Sequence, residues 1–142
     1  VHRSQGTVIN GNNINIMIGE NSKTASFEKF YARGITLSGG RQTINKIANN
    51  EITIDVEKSP LPVSSSGISV EQGSGGSNSE VEISNNIIDM IGNNPVFTDY
   101  GMSLNTQNSL VKDNSIKIRG VATVPIFFFS NSNNREENNE IK

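Results

Sequence analysis

One short phrase recurs five times along the chain and restricts its fold more than any other feature. Its clearest instance is Ile47-Ala48-Asn49-Asn50-Glu51-Ile52-Thr53-Ile54-Asp55: an apolar residue, two asparagines, then apolar residues at alternate positions. With the second asparagine as reference, the phrase stands at Asn12, Asn50, Asn86, Asn114 and Asn139. The alternation that follows, Ile14 and Ile16, Ile52 and Ile54, Ile88 and Met90, Ile116 and Ile118, has the period of two of a strand whose side chains face opposite sides in turn. Three residues before the reference stands another apolar residue, at Ile9, Ile47, Ile83 and Val111; Glu136 breaks the rule in the fifth instance. At that point either the stack ends or the last turn of the chain is completed differently.

A second phrase lies between instances of the first. It reads Gly34-Ile35-Thr36-Leu37, then Gly67-Ile68-Ser69-Val70, then Gly101-Met102-Ser103-Leu104, with Pro125-Ile126-Phe127-Phe128 in the fourth place. Glycine ahead of a strand suits a turn of positive φ, and a proline at the first strand position loses no needed N–H. Two strands and a short apolar approach segment per repeat describe a coil of three short strands. Such a unit cannot bury its apolar face alone, so successive units must stack into parallel sheets. Asparagine then stacks on asparagine, where side-chain amides bond along the column and tolerate the left-handed bend of a corner.

Composition agrees with a thin, regular core. Only 33% of the 142 residues are hydrophobic, while 21 are asparagine. Asparagine in that excess is often a sign of low complexity, but here it keeps register with isoleucine and reads as a turn residue. The net charge of −2, with Lys and Arg scattered, lacks the basic stripe of a nucleic-acid binder. The longest apolar run, Val124 to Phe129, is too short to span a bilayer, and the start has no signal-peptide pattern, so no membrane insertion is expected. Without cysteine, and with His2 as the single histidine, no thiolate or histidine metal site and no cofactor is expected.

Spacings of 38, 36, 28 and 25 residues between reference asparagines exceed a bare three-strand coil in the early repeats, which points to insertions. They fall at Gly19 to Arg33, Ser38 to Thr43, Glu57 to Ser66, Glu71 to Glu80 and Gly92 to Tyr100. Insertions on a solenoid tend to share a face and to carry binding residues. Outward columns follow from the same alignment: Asn15, Thr53, Asp89 and Lys117 in one, Met17, Asp55, Ile91 and Arg119 in the next. Asp89 and Lys117 should be direct neighbours, with Ile91 between Asp55 and Arg119. Phe127 takes the outward place of Thr36, Ser69 and Ser103 and forms an apolar patch with Phe128 and Phe129. That patch suits burial against a further coil, a partner subunit or further chain.

The phrases Asn49-Asn50-x-Ile52, Asn85-Asn86-x-Ile88 and Asp113-Asn114-x-Ile116, with the glycine phrase at Gly34, resemble the right-handed parallel β-helix of pectate-lyase-like proteins and phage tailspikes. The resemblance implies an all-β fold, a right-handed parallel β-helix of about four to five coils. Residues 1–142 would then be a single domain, and the start at Val1 and stop at Lys142 inside the fifth instance of the phrase lead to the expectation of a fragment of a longer protein. The resemblance also implies an extracellular, secreted or virion-surface location, a bacterial surface or extracellular polysaccharide as partner, and a homotrimer as assembly. The family includes polysaccharide lyases and glycoside hydrolases as well as plain stalks. In lyases a base abstracts a proton while a cation neutralises uronate, and in hydrolases two carboxylates act together. On that pattern Asp55, Asp89, Lys117 and Arg119 are the candidate catalytic residues. The same residues also read as an exposed cross-strand ion pair worth under about 1 kcal/mol. Tyr31, Phe97 and Tyr100 are candidates to stack on sugar rings, or to fold a loop onto the core. The alternative function is a non-enzymatic structural stalk or adhesin segment.

Overall fold

The computed structural model describes residues 6–19, 30–39, 45–72, 78–93, 96–130 and 133–142. In the first repeat the strands are β1 (Val8–Asn10), β2 (Asn13–Met17) and β3 (Phe30–Gly39). The second holds β4 (Asn45–Ala48), β5 (Glu51–Asp55) and β6 (Val63–Gln72). The third holds β7 (Asn78–Ser79), β8 (Val81–Ser84), β9 (Ile87–Ile91) and β10 (Asp99–Leu104). The fourth holds β11 (Thr106–Gln107), β12 (Leu110–Lys112), β13 (Ser115–Arg119) and β14 (Thr123–Phe128), and the fifth holds β15 (Arg135–Glu137) and β16 (Glu140–Ile141).

Each strand pairs in parallel with its counterpart one repeat away. Three long sheets result, with orders β1-β4-β8-β12-β15, β2-β5-β9-β13-β16 and β3-β6-β10-β14, together with the short pair β7-β11. Among the described residues the chain is all-β and its parallel sheets are consistent with a parallel β-solenoid. The register is the one set by the reference asparagines: Ile14, Ile52, Ile88, Ile116 and Ile141 lie in one row. The second phrase is equally in step, with Thr36, Ser69, Ser103 and Phe127 side by side. A slip of one residue would turn every isoleucine outward, so the apolar alternation holds this register.

The corner between the first two strands of each repeat divides its labour between two residues, where the sequence suggested one. The left-handed bend falls on the residue before the reference: Gly11 (φ 70), Asn49 (φ 55), Asn85 (φ 54), Asp113 (φ 55) and Asn138 (φ 52). Glycine, asparagine and aspartate are the residues that enter this region at least cost. The reference asparagine itself turns inward and forms the ladder. Asn12 donates from Nδ2 to Asn50 Oδ1, Asn50 to Asn86, Asn86 to Asn114 and Asn114 to Asn139, each at 2.9 Å. The backbone N–H of each donates to the same oxygen, at 2.9 to 3.1 Å. Asn50, Asn86 and Asn114 are buried, and the amide ladder satisfies polar groups that water cannot reach.

A second corner lies five residues upstream of the first. Asn108 (φ 54) and Asn133 (φ 57) take the bend there, and the next residues bond along the stack. Thr7 N–H donates to Asn45 Oδ1 at 3.0 Å, Val81 N–H to Ser109 Oγ at 3.1 Å and Ser109 N–H to Asn134 Oδ1 at 3.0 Å. Val81 offers no side-chain acceptor, so this ladder is broken in its middle.

Inside, Ile52, Ile54, Ile68, Ile83, Ile88, Met90, Met102, Leu104, Val111 and Ile116 are fully buried and form one continuous core. Gly34, Gly67 and Gly101 lie within strands rather than ahead of them, and their role is close approach rather than positive φ. A Cβ on Gly67 would stand 2.7 Å from both Gly101 O and Ile88 Cγ2; on Gly101 it would stand 2.4 Å from Pro125 O and 2.8 Å from Ile116 Cγ2. Ile52, Ile88 and Ile116, each two residues past its reference asparagine, thus pack into glycine notches on the facing sheet.

The insertions are shorter than the spacings suggest, because the strands of the third sheet begin earlier. Phe30 to Arg33 pair with Val63 to Ser66, and Asp99 and Tyr100 belong to β10. Ser38, Gly39, Glu71 and Gln72 extend β3 and β6. Residues 20–29, 40–43, 73–77 and 94–95 of the expected insertions lie outside the described residues. Glu136 keeps the row, opposite Val111, with its side chain exposed.

Candidate functional site

The third sheet presents its outer face as a trough. Strand β6 contributes a serine-rich stretch, Val63-Ser64-Ser65-Ser66-Gly67-Ile68-Ser69, whose outward positions are small. Its neighbours carry large groups at the matching positions: Tyr31 sits opposite Ser64, and Ser66 lies between Arg33 on β3 and Tyr100 on β10. Small side chains between large ones leave a groove one strand deep, of about 410 Å³, lined by Tyr31, Arg33, Ser64, Ser66, Ser69, Glu71, Tyr100, Ser103, Asn105 and Phe129 among others. That volume lies within the range of about 300–1,000 Å³ usual for small-molecule sites.

Aromatic rings form the two ends. Tyr31 is 54% exposed and Phe129 59%, which is much open ring surface for a chain with so few aromatics. Tyr100 lies 5.5 Å from Phe127, ring centre to ring centre, and Phe127 meets Phe129 edge-on at 4.8 Å. These are favourable aromatic geometries, and they hold the three rings as a single ledge. At the opposite end the Arg33 guanidinium lies 4.9 Å over the Tyr31 ring and forms an ion pair with Glu71. The triple phenylalanine therefore splits: Phe128 packs on the core, whereas Phe127 and Phe129 are exposed, with Phe129 lining the groove.

Beneath the trough lies Asp99, fully buried. Its Oδ1 accepts from Ser65 N–H at 2.9 Å and from Ser65 Oγ at 2.5 Å, while Oδ2 has no hydrogen-bond partner and faces Gly92, whose added Cβ would fall 1.8 Å from it. Burial pushes this carboxyl above its ordinary range, and the two bonds from Ser65 oppose the rise without cancelling it.

The four charged candidates stand on another sheet. Asp89 and Lys117 are cross-strand neighbours, as the alignment predicts, with Asp89 Oδ2 3.7 Å from Lys117 Nζ; Arg119 also reaches Asp89, at 3.7 Å. Ile91 separates Asp55 from Arg119 in the row. Asp55 accepts from Glu57 N–H at 3.1 Å and so caps the turn after β5. None of the four lines the groove that holds Tyr31 and Tyr100. Phe97 lies in the bend ahead of β10, half-buried, and is not part of the groove lining either. A further charged row runs along the first sheet, where Glu82 lies 3.3 Å from Lys46 and 3.9 Å from Lys112. Burial raises the Glu82 carboxyl, but the Ser84 hydroxyl and the two lysines outweigh it and hold the group below its usual range. Among the described residues no three acidic, histidine or cysteine side chains gather as metal ligands.

Sequence reasoning named Tyr31 and Tyr100 but missed Arg33, Glu71 and the serine floor, and placed Phe129 in an apolar patch rather than in a groove. The signal was present in the second phrase: its small outward residues, Thr36, Ser69 and Ser103, run in a row that ends at Phe127. No family model, curated protein or solved structure matches the chain.

Proposed function

We propose that this chain is a segment of a right-handed parallel β-helix of four to five coils, pectate-lyase-like or tailspike-like, which binds an extracellular or bacterial surface polysaccharide along the groove of the third sheet. The observation that carries the reading is the serine-floored trough between exposed aromatic rings. Pyranose rings have an apolar face and a rim of hydroxyls, so aromatic ledges and a hydroxyl floor complement them at once. A location outside the cell or on a virion surface, and assembly as a homotrimer, go with this reading.

The proposal is for binding rather than cleavage. Asp89 pairs with both Lys117 and Arg119 on a sheet other than that of the groove, which is also the pattern of a stabilising cross-strand network. That separation favours, as a second reading, a stalk or adhesin segment without catalysis.

The chain supplies its own probe. It has no tryptophan and two tyrosines, Tyr31 and Tyr100, both of which line the groove. Tyrosine fluorescence therefore reports on this site alone. Titration with a panel of bacterial and plant polysaccharides should change it saturably, and Tyr100→Ala should weaken binding about tenfold, the equivalent of one lost stacking contact of about 1.4 kcal/mol. Asp89→Ala should bind like wild type. A folded chain that gives no change across the panel is a stalk, and release of reducing ends that disappears in Asp89→Ala would return that residue to catalysis.

A further inference from the structure

The groove's charge and length define which glycan it takes, and this inference rests on the binding reading above. Among the described residues that line the trough, the only cation is Arg33 and the only anion is Glu71, and they are ion-paired to each other. Tyr31 covers the guanidinium from a further side, 4.9 Å from ring centre to Cζ. The remaining described lining is five serines, Asn105, Tyr100, Phe129 and Val70, that is, hydroxyl, amide, aromatic and aliphatic. A uronate or sialate carboxylate entering this trough would lose water and find no uncompensated cation in return, and a carboxylate without a partner is disfavoured in such a site.

The lining reaches from Tyr31 and Arg33 on β3, over β6 and β10, to Phe129, which follows β14, and it also runs along β6 from Ser64 to Glu71. Three strand spacings of roughly 4.8 Å one way and seven residue steps of roughly 3.3 Å the other give room for several linked pyranose units rather than one.

We infer that the groove binds a neutral oligosaccharide stretch rather than a single sugar, with the Arg33–Glu71 pair keeping acidic glycans out. Tyrosine fluorescence of the whole chain tests this with maltotriose, cellotriose, dextran and mannan as neutral probes and polygalacturonate and hyaluronate as acidic ones, at low and high salt. Wild type should respond to at least one neutral probe with an affinity that salt leaves unchanged within about twofold. A trisaccharide should bind at least tenfold better than the matching monosaccharide. Glu71→Gln frees the guanidinium, so polygalacturonate binding should appear or rise at least fivefold, and high salt should remove the gain.

Preference of wild type for the acidic probes, or no acidic gain in Glu71→Gln, would overturn the inference while leaving groove binding intact. No response to neutral or acidic probes by either protein, with both folded by circular dichroism, would overturn the binding reading and this inference with it. Glu71→Ala, which keeps neither charge nor hydrogen bonding, separates the freed cation from any specific effect of glutamine: it should show the same acidic gain.

Discussion

Replacing Asn86 by alanine should be among the most damaging single changes in the chain, because it strikes the middle of the amide ladder. Asn86 is completely buried, and its Oδ1 is the acceptor for both the N–H and the Nδ2 of Asn50, at 3.0 and 2.9 Å. Its Nδ2 donates to Asn114 Oδ1 at 2.9 Å, to Ile47 O at 3.0 Å and to Ser84 O at 3.1 Å. Alanine leaves the buried Asn50 N–H without this acceptor, at about 1–3 kcal/mol, and removes side-chain bonds worth about 1 kcal/mol net apiece. Ser84 O keeps the Asn49 N–H, and Asn114 Oδ1 keeps the Asn86 N–H, so those two acceptors are only partly stripped. With one bond for each of the two hydrogens of Asn86 Nδ2 and one from Asn50 Nδ2, the sum is about 4–6 kcal/mol. Asn12 has the same place in the repeat but is exposed, and the ladder bond its amide makes is the one to Asn50, so Asn12→Ala should cost about 1 kcal/mol or less. Urea unfolding followed by circular dichroism gives both values by linear extrapolation. Losses for the two variants that agree within about 0.5 kcal/mol would refute the argument that burial and ladder bonds, rather than corner geometry, make the reference asparagine matter.

Other outcomes follow from the same packing and titration arguments. Gly67→Ala must push Gly101 O or Ile88 out of a 2.7 Å contact and should cost about 1–3 kcal/mol or more, whereas Gly19→Ala meets nothing within 4 Å and should be close to neutral; melting temperatures distinguish them. Because burial raises the folded-state pKa of Asp99 above its unfolded value, its stabilising contribution is fully present below the ordinary carboxylate range and is lost as pH rises through the raised value. Wild type should therefore lose stability relative to Asp99→Asn across that window; parallel pH profiles for the two proteins would contradict the assignment.

The architecture was open to reading because each element carries its own signature. Alternating isoleucines after Asn50, Asn86 and Asn114 encode strands, and equal offsets from the reference asparagine encode the pairing, as the row Ile52, Ile88, Ile116 bears out. The second corner was equally written in the chain, at Asn45, Ser109 and Asn134, five residues before each reference. It escaped notice because Val81 interrupts it and because serine and asparagine occur there in turn. The insertions were overestimated for a physical reason: Ser64, Ser65 and Ser66 have the composition of a loop, and they form strand because Tyr31, Ala32 and Arg33 supply a neighbouring ladder.

The sequence by itself determined the repeat, its register, the inward residues and the meeting of Asp89 with Lys117, since all of these depend on offsets within a periodic pattern. Only the tertiary structure decided which outward rows form a groove. A trough arises where small residues of one strand lie between large residues of its neighbours, here β6 between β3 and β10, whose paired residues are more than thirty apart along the chain. The same holds for Gly34, Gly67 and Gly101, whose need to lack a Cβ comes from an isoleucine on the facing sheet and a carbonyl of the next repeat, distances that no local pattern specifies.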